Sequence, residues 1–294
     1  MNIQQWISKN THSLSGKRVA ITGSTGGIGK ELCMHLAALG ANLVLINRNE
    51  KSTLDQINTL TDTFPNIEVS YININLENFE SVKIATEKII DQDIDVFIHN
   101  AGAYNIPRHK CDTGYDNIFQ INFVSPYYII RELSHLLKKK NGRVVVVGSI
   151  AHAASIINSS DIDFTSIKSA EMVYGNSKRY LMFSLYEFFK DKQEVDFAIT
   201  HPGITLTNLM SNYPKFISKI IKYPMQVIFM PPRMASLSIL KGVFENTEYH
   251  NWIGPGILNI WGMPKKRQLK SCSIDESKKI ADIAEEVYMK IKSK

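Results

Sequence analysis

Short apolar runs alternate with longer stretches of helical period along most of this chain. Residues 19–21, 43–46, 96–98 and 144–147 are continuously apolar rather than alternating. Strands buried on both faces read this way, as in a parallel sheet covered by helices. A weaker run at 69–72 lies between those at 43–46 and 96–98, and 197–200 supplies a sixth strand. Between strands the period changes. Ile28, Leu32, Leu36 and Leu39 share one helical face, and Gly40 follows where a helix end favours glycine. Helices are predicted over 49–63, 78–91, 112–140 (bent by Pro126), 174–190 and 275–292. This alternation predicts an α/β class: a doubly wound parallel sheet in one domain spanning 1–294.

Two stretches fall outside the rhythm. Residues 1–15 are polar and read as an N-terminal arm. The segment 204–232 carries Pro214, Pro224, Pro231 and Pro232 around an apolar, partly basic stretch. Placed before the C-terminal helix, it is expected to overhang the carboxyl ends of the strands as a substrate lid, where open α/β sheets bind ligands. Its apolar residues Leu209, Met210, Phe216 and Met225, with Tyr104 and Ile150 near the site, predict a bulky lipophilic substrate.

Composition narrows the class. With 44% hydrophobic and 21% charged residues, the chain is neither disordered nor collagen-like. Cys33, Cys111 and Cys272 lie far apart, with no spacing for a zinc site or disulfide framework, which fits a reducing cytoplasm. No signal peptide or membrane-spanning run is expected. Net charge is +6, and residues 265–294 hold nine basic against five acidic side chains. That tail, with only Tyr288 as an aromatic, argues against nucleic acid. Together with 216–230 it leaves a peripheral membrane contact open. The long helices offer faces for a homodimer.

The chemistry concentrates at strand ends. After the first strand comes Thr22-Gly23-Ser24-Thr25-Gly26-Gly27-Ile28-Gly29, opening a helix. Glycine there lets backbone approach a phosphate, and the helix N-terminus presents open N–H groups to a pyrophosphate. Strand before and helix after make this a dinucleotide site of Rossmann type. At the end of the second strand, Ile46-Asn47-Arg48-Asn49 offers no carboxylate for a ribose hydroxyl. Arg48 could clamp a 2′-phosphate, with Ser24 nearby as a hydroxyl donor, which favours NADP(H). Glu50 keeps NAD(H) open.

From Gly16 to about Val287 the chain resembles the short-chain dehydrogenase/reductase family. Thr22, Gly23, Gly27 and Gly29 match its glycine loop, Asn100-Ala101-Gly102 its Asn-Ala-Gly, and Asn122 its helix asparagine. Ser149, Tyr174 with Lys178, and Pro202-Gly203 match its serine, Tyr-x-x-x-Lys and Pro-Gly. Trp261-Gly262-x-Pro264-Lys265 and Ser149-Ile150-Ala151-His152 are similar to the retinol-dehydrogenase-like branch, which acts on lipophilic alcohols and carbonyls. His99, Asn75-Leu76 and Gly148 depart from the family pattern. The loop also fits a longer, epimerase-like spacing through Gly26 and Gly29.

The resemblance implies Tyr174, Lys178, Ser149 and Asn122 as catalytic residues. Tyr174 would be the acid/base, its phenol made more acidic by the Lys178 ammonium one helical turn away. Ser149 would donate to the substrate oxygen, and Asn122 would support a water-linked proton path. Cofactor contacts would come from Gly23, Ser24, Gly27, Ile28, Gly29, Arg48, Asn75, Leu76, Asn100, Ala101, Gly102, Tyr174, Lys178, Pro202, Gly203, Thr205 and Thr207; no metal is expected. Tyr186/Lys190 and Tyr288/Lys292 repeat the Tyr-x-x-x-Lys spacing, but only Tyr174 follows the serine-bearing strand. His152, His201 and Cys111 read as structural. The expected function is oxidoreduction between a small lipophilic alcohol and its carbonyl. The alternative is a non-enzymatic dinucleotide sensor on the same fold.

Overall fold

The computed structural model describes residues 2–155, 157–167, 169–191, 194–205 and 229–293. Eight strands form one sheet: β1 Arg18–Thr22, β2 Asn42–Asn47, β3 Val69–Asn73, β4 Val96–His99, β5 Arg143–Val147, β6 Asp196–Thr200, β7 Asn251–Ile257 and β8 Trp261–Gln268. Their order is β3-β2-β1-β4-β5-β6-β7-β8, parallel throughout except for the antiparallel β7–β8 pair. All six strands expected from apolar runs are present. The strand order turns between β1 and β4, so a crevice opens beyond Thr22 and its register partner His99.

Helices cover both faces. α1 Ile3–Asn10, α2 Gly27–Ala38 and α7 Pro232–Phe244 lie over one apolar layer that includes Val19, Ile21 and Val145. α4 Phe79–Ile90, α5 Ser125–Lys140, α6 Ala170–Phe189 and α8 Ile274–Lys292 cover the other, which includes Ala20, Phe97 and Val144. Alternate residues of one strand thus face opposite layers, as the pleat dictates. α3 Glu50–Thr63 links β2 to β3.

Several boundaries differ from the sequence expectation. The helix expected over 112–140 starts only at Asn117, because the Asp116 side chain accepts from the Ile118 and Phe119 N–H groups and caps it there. Its bend is a π-type turn, Gln120–Val124, immediately before Pro126, which sits at the start of α5. Proline has no N–H, so the Asn122 carbonyl lacks its helical i+4 donor. α6 begins four residues before Tyr174, capped by Ser169, which places Tyr174 in the second turn. The β7–β8 hairpin and α7 were not foreseen. Gly254, Pro255 and Gly256 inside β7 are residue types common in turns, and Pro231-Pro232, assigned to the lid segment, start a helix, where proline is well suited.

The polar N-terminus is a capped helix rather than an arm. Asn2 and Gln5 form a reciprocal capping box, and Trp6 is buried at 2% exposure. Of the expected lid, 206–228 lie outside the described residues; its ends meet where the Met230 N–H donates to the Ile204 carbonyl at 2.9 Å. α8 packs against α5 and α6. Arg131 pairs with Glu285 and stacks on the Tyr288 ring at 4.1 Å, and Lys292 reaches Glu132 at 2.7 Å. Trp6→Ala should cost about 3 kcal/mol, the usual penalty for emptying a buried tryptophan site. Urea unfolding would check this, an unchanged midpoint marking residues 2–10 as dispensable.

Candidate active site

The glycine loop is built by close approach. Gly23 stands at φ +68° with Ala101 Cα 2.9 Å from where a Cβ would project, and a Cβ on Gly29 would fall 2.3 Å from the Gly23 carbonyl oxygen. Neither position admits a side chain. α2 starts at Gly26 with no side-chain cap, so its first N–H groups are not claimed by one. A cleft of about 740 Å³ runs from this loop past Arg48 and Asn75 to Gly102 and Tyr104.

Gly23, Gly27, Ile28, Gly29, Arg48, Asn75, Leu76, Asn100, Ala101 and Gly102 all line that cleft, as the sequence suggested. Ser24 does not. Its hydroxyl is buried, donating to Gln56 Oε1 at 3.1 Å and accepting from Asn47 Nδ2 at 2.7 Å, so it is turned away from any phosphate. Thr25 lines the cleft instead. Arg48 is 73% exposed and 3.8 Å from Glu77, which His109 also approaches at 3.4 Å. Glu77 and His109 were missed; they follow β3 and β4, and no local motif marks them. Pro202 and Gly203 extend from β6, where a Cβ on Gly203 would strike the Ile260 carbonyl at 2.7 Å, so they abut the β7–β8 hairpin. Thr205 ends that described stretch, and Thr207 lies outside the described residues.

Beyond the cleft, β5 and α6 bring Ser149, Tyr174 and Lys178 together. Ser149 caps a 3₁₀ turn, Ile150–Ala154, and its Oγ accepts from the Ala151 N–H at 3.2 Å. Its hydroxyl lies near enough to the Tyr174 phenol to act on its acidity. The Tyr174 ring meets Tyr104 edge-on at 5.1 Å, which joins this group to the cleft wall. Lys178 is only 2% exposed; its Nζ donates to the Val147 carbonyl at 2.9 Å and lies 5.8 Å from the centre of the Tyr174 ring. Asn122 Oδ1 and Lys178 Nζ stand 2.9 and 3.6 Å from the place a Gly102 Cβ would take. Asn122 also donates to the Ala103 carbonyl at 2.8 Å.

The electrostatics correct one expectation. Burial pushes the Tyr174 phenol above its ordinary value, and the neighbouring Ser149 hydroxyl offsets part of that rise. The ammonium expected to acidify it points to Val147 instead, and burial pulls Lys178 itself down to about 8. Without other charge, this tyrosine is held as a neutral acid.

His99, a departure from the family pattern, is fully buried. The Thr22 hydroxyl accepts from the Asn100 and Ala101 N–H groups, both at 3.1 Å, so its own proton goes to His99 Nδ1 at 3.1 Å. Burial and the nearby Lys178 charge keep the ring neutral. Gly148 is explained by packing: a Cβ there would lie 2.7 Å from Met182 Sδ. The other Tyr-x-x-x-Lys pairs are structural. Tyr186 donates to the Asn251 carbonyl, Lys190 pairs with Glu187 at 2.7 Å, and Lys292 binds Tyr288 and Glu132.

His152 and His201 are pulled from 6.5 to about 4, chiefly by burial. Burial and acidic neighbours push the Cys111 thiol up to about 12, which leaves no thiolate for nucleophilic work. Among the described residues no cluster could hold a metal ion, and no helix is long and apolar enough to cross a membrane. The two histidines generate a pH dependence. The unfolded chain binds their protons below about pH 6.5, whereas the folded chain resists until about 4. Stability is therefore unpenalised above pH 6.5 and falls as pH drops toward 4, by about 2 kcal/mol per histidine between pH 7 and 5. Urea titrations at those two pH values should differ accordingly; equal unfolding free energies would contradict the assignment.

A profile of the short chain dehydrogenase family matches residues 17–216. An uncharacterized oxidoreductase of Schizosaccharomyces pombe is 27% identical over 258 residues, 82% of this chain and 76% of that protein. Retinol dehydrogenase 13 of Homo sapiens is 26% identical over 203 residues, 67% of this chain and 61% of its own length. The solved structure of an uncharacterized protein from Mycobacterium paratuberculosis shares the fold with a TM-score of 0.71 at 19% identity, covering 97% of this chain and 96% of that one.

Proposed function

The chain belongs to the short-chain dehydrogenase family, and from that premise we propose that it interconverts a lipophilic alcohol and its carbonyl, using NADP(H) and Tyr174 as the acid/base. One observation carries the reading: Tyr174, with Ser149 beside its phenol and the Lys178 ammonium 5.8 Å from its ring centre, packs edge-on against Tyr104 of a glycine-lined cleft. A structural tyrosine needs neither the buried lysine nor the serine.

The cradle at Gly23 and Gly29, which a Cβ would fill, fits a pyrophosphate against the N-terminus of α2. Arg48, exposed at the far rim, is placed to take a 2′-phosphate in preference to a bare ribose. The dinucleotide supplies or accepts the hydride when bound. Every other role falls to the chain. Ser149 turns its hydroxyl to the substrate oxygen and stabilises charge that develops there. Tyr174, kept protonated by burial, gives its proton to that oxygen during reduction. Lys178, whose ammonium is held by the Val147 carbonyl 5.8 Å from the centre of the Tyr174 ring, would have to turn from that carbonyl to favour the resulting phenolate. The Asn122 carbonyl, relieved of its helical donor by Pro126, is suited to hold a water behind the lysine. Tyr104 and Ile150 offer an apolar wall, and the similarity to a retinol dehydrogenase supports a lipophilic substrate.

Tyr174→Phe should lower kcat for NADPH-dependent carbonyl reduction by about a thousandfold, the scale of a lost general acid, while NADPH binding stays within about threefold. Turnover that survives the substitution removes the mechanism. Separately, Arg48→Ala should raise KM for NADPH by about 10- to 100-fold, from the loss of one charge-assisted contact. KM for NADH should stay nearly unchanged. An equal loss with both dinucleotides would assign Arg48 no part in phosphate selection.

A further inference from the structure

Behind Ser149 lies a buried polar clamp that the proposed chemistry does not use. The His152 ring sits three residues after the serine, with Nδ1 against the Ser149 carbonyl oxygen. A carbonyl only accepts, so Nδ1 carries the proton and Nε2 is the acceptor. The Ser271 hydroxyl fills that role, donating across 2.7 Å from the segment after β8. The neutral ring this requires agrees with its burial. Trp252 and Phe183 pack edge-on against the ring at 5.5 and 5.8 Å.

Arg179 closes the clamp from the helix that carries Tyr174 and Lys178. It is only 3% exposed. Nη1 donates to the His152 carbonyl at 3.0 Å, Nη2 to the Ser271 carbonyl at 2.6 Å, and Nε to Glu276 Oε1 at 2.9 Å. One guanidinium thus joins three separate pieces of chain. These are the turn after β5, the helix α6, and the residues leading into α8. A fork with several fixed donors suits this task, since it sets angles as well as distances.

We propose that His152 and Arg179 are positioning residues that hold Ser149 in register with Tyr174 and Lys178, through the segment 271–276. The inference rests on the reading of Ser149 as donor to the substrate oxygen. The serine's own backbone carries the restraint: its carbonyl is anchored by His152, leaving the hydroxyl free to face Tyr174. Residues far along the chain thereby become part of the geometry of the reaction without touching substrate.

Two near-isosteric variants separate positioning from mere packing. Asparagine places its amide where Nδ1 was, and glutamine where Nε2 was, while both remove the ring from Trp252. His152→Asn, which keeps the donor to Ser149, should retain kcat within about threefold of the natural chain for reduction of a lipophilic aldehyde by NADPH. His152→Gln should lose about tenfold or more, a fraction of what an oxyanion donor contributes, with the NADPH Kd within about twofold for both. In a Ser149→Ala background the difference between the two should shrink below about twofold, because the residue they act through is gone.

Equal losses in the two variants, or a difference that persists without the Ser149 hydroxyl, overturn the proposal. Should His152→Gln not accumulate, Ser271→Ala removes one hydroxyl and should lower kcat about threefold, with the same disappearance in Ser149→Ala; an unchanged kcat counts against the clamp. Amide hydrogen exchange gives a readout that needs no turnover. Exchange at residues 150–155 should quicken in His152→Gln and hardly change in His152→Asn. If the natural chain reduces no carbonyl, the functional reading fails while exchange still decides the clamp.

Discussion

A buried ammonium governs this structure. Lys178 sits on α6 with its charge almost fully removed from water, satisfied by the Val147 carbonyl at the end of β5. Desolvating a cation is expensive, and the chain tolerates it only because strand and helix meet at that one height. The same meeting sets Tyr174 one turn earlier on the helix and Ser149 two residues beyond the strand. Had α6 slid along the sheet, the lysine would lose its acceptor and the serine would lose the phenol. Fold and the grouping of these three side chains therefore depend on a single registration.

The cleft depends on a second registration, between β1 and β4. Parallel pairing of Thr22 with His99 brings the glycine loop and the Asn100–Gly102 turn to one edge, where strand order reverses. Thr22 ties the two turns together by accepting both the Asn100 and Ala101 N–H groups. Glycines at 23 and 29 then become geometric necessities rather than flexible spacers, because neighbouring backbone already occupies the Cβ positions. The glycine-lined end is thus shaped by main chain, whereas the end at Tyr174 is shaped by buried side chains.

How much of this was legible follows from the range of the interactions. Strands β1, β2, β4 and β5 were readable because burial on both faces leaves an unbroken apolar run, whereas β3, half exposed at the sheet edge, gave only a weak one. Ser149, Tyr174 and Lys178 could be singled out because the resemblance carries local spacings, Tyr174 to Lys178 above all. β7 was hidden by its glycine and proline, which are at home in turns and tolerated here near the sheet's margin. The N-terminal helix was hidden by its polarity, since Trp6 alone supplies most of its apolar anchor. Ser24 was misread because a hydroxyl next to a glycine loop can point either way, and Gln56 and Asn47, distant in sequence, decided which.

The sequence by itself determined the fold class and the glycine loop at the switch point, because periodicity and short motifs are properties of neighbouring residues. The tertiary structure alone decided the protonation of Tyr174 and Lys178 and their alignment. Burial holds Tyr174 as a neutral acid and draws Lys178 down, effects no local spacing encodes. It was also the packing of α8 and residues 271–276 against α6 that covered the exposed helix face and fastened the turn bearing Ser149, through contacts between residues about a hundred positions apart.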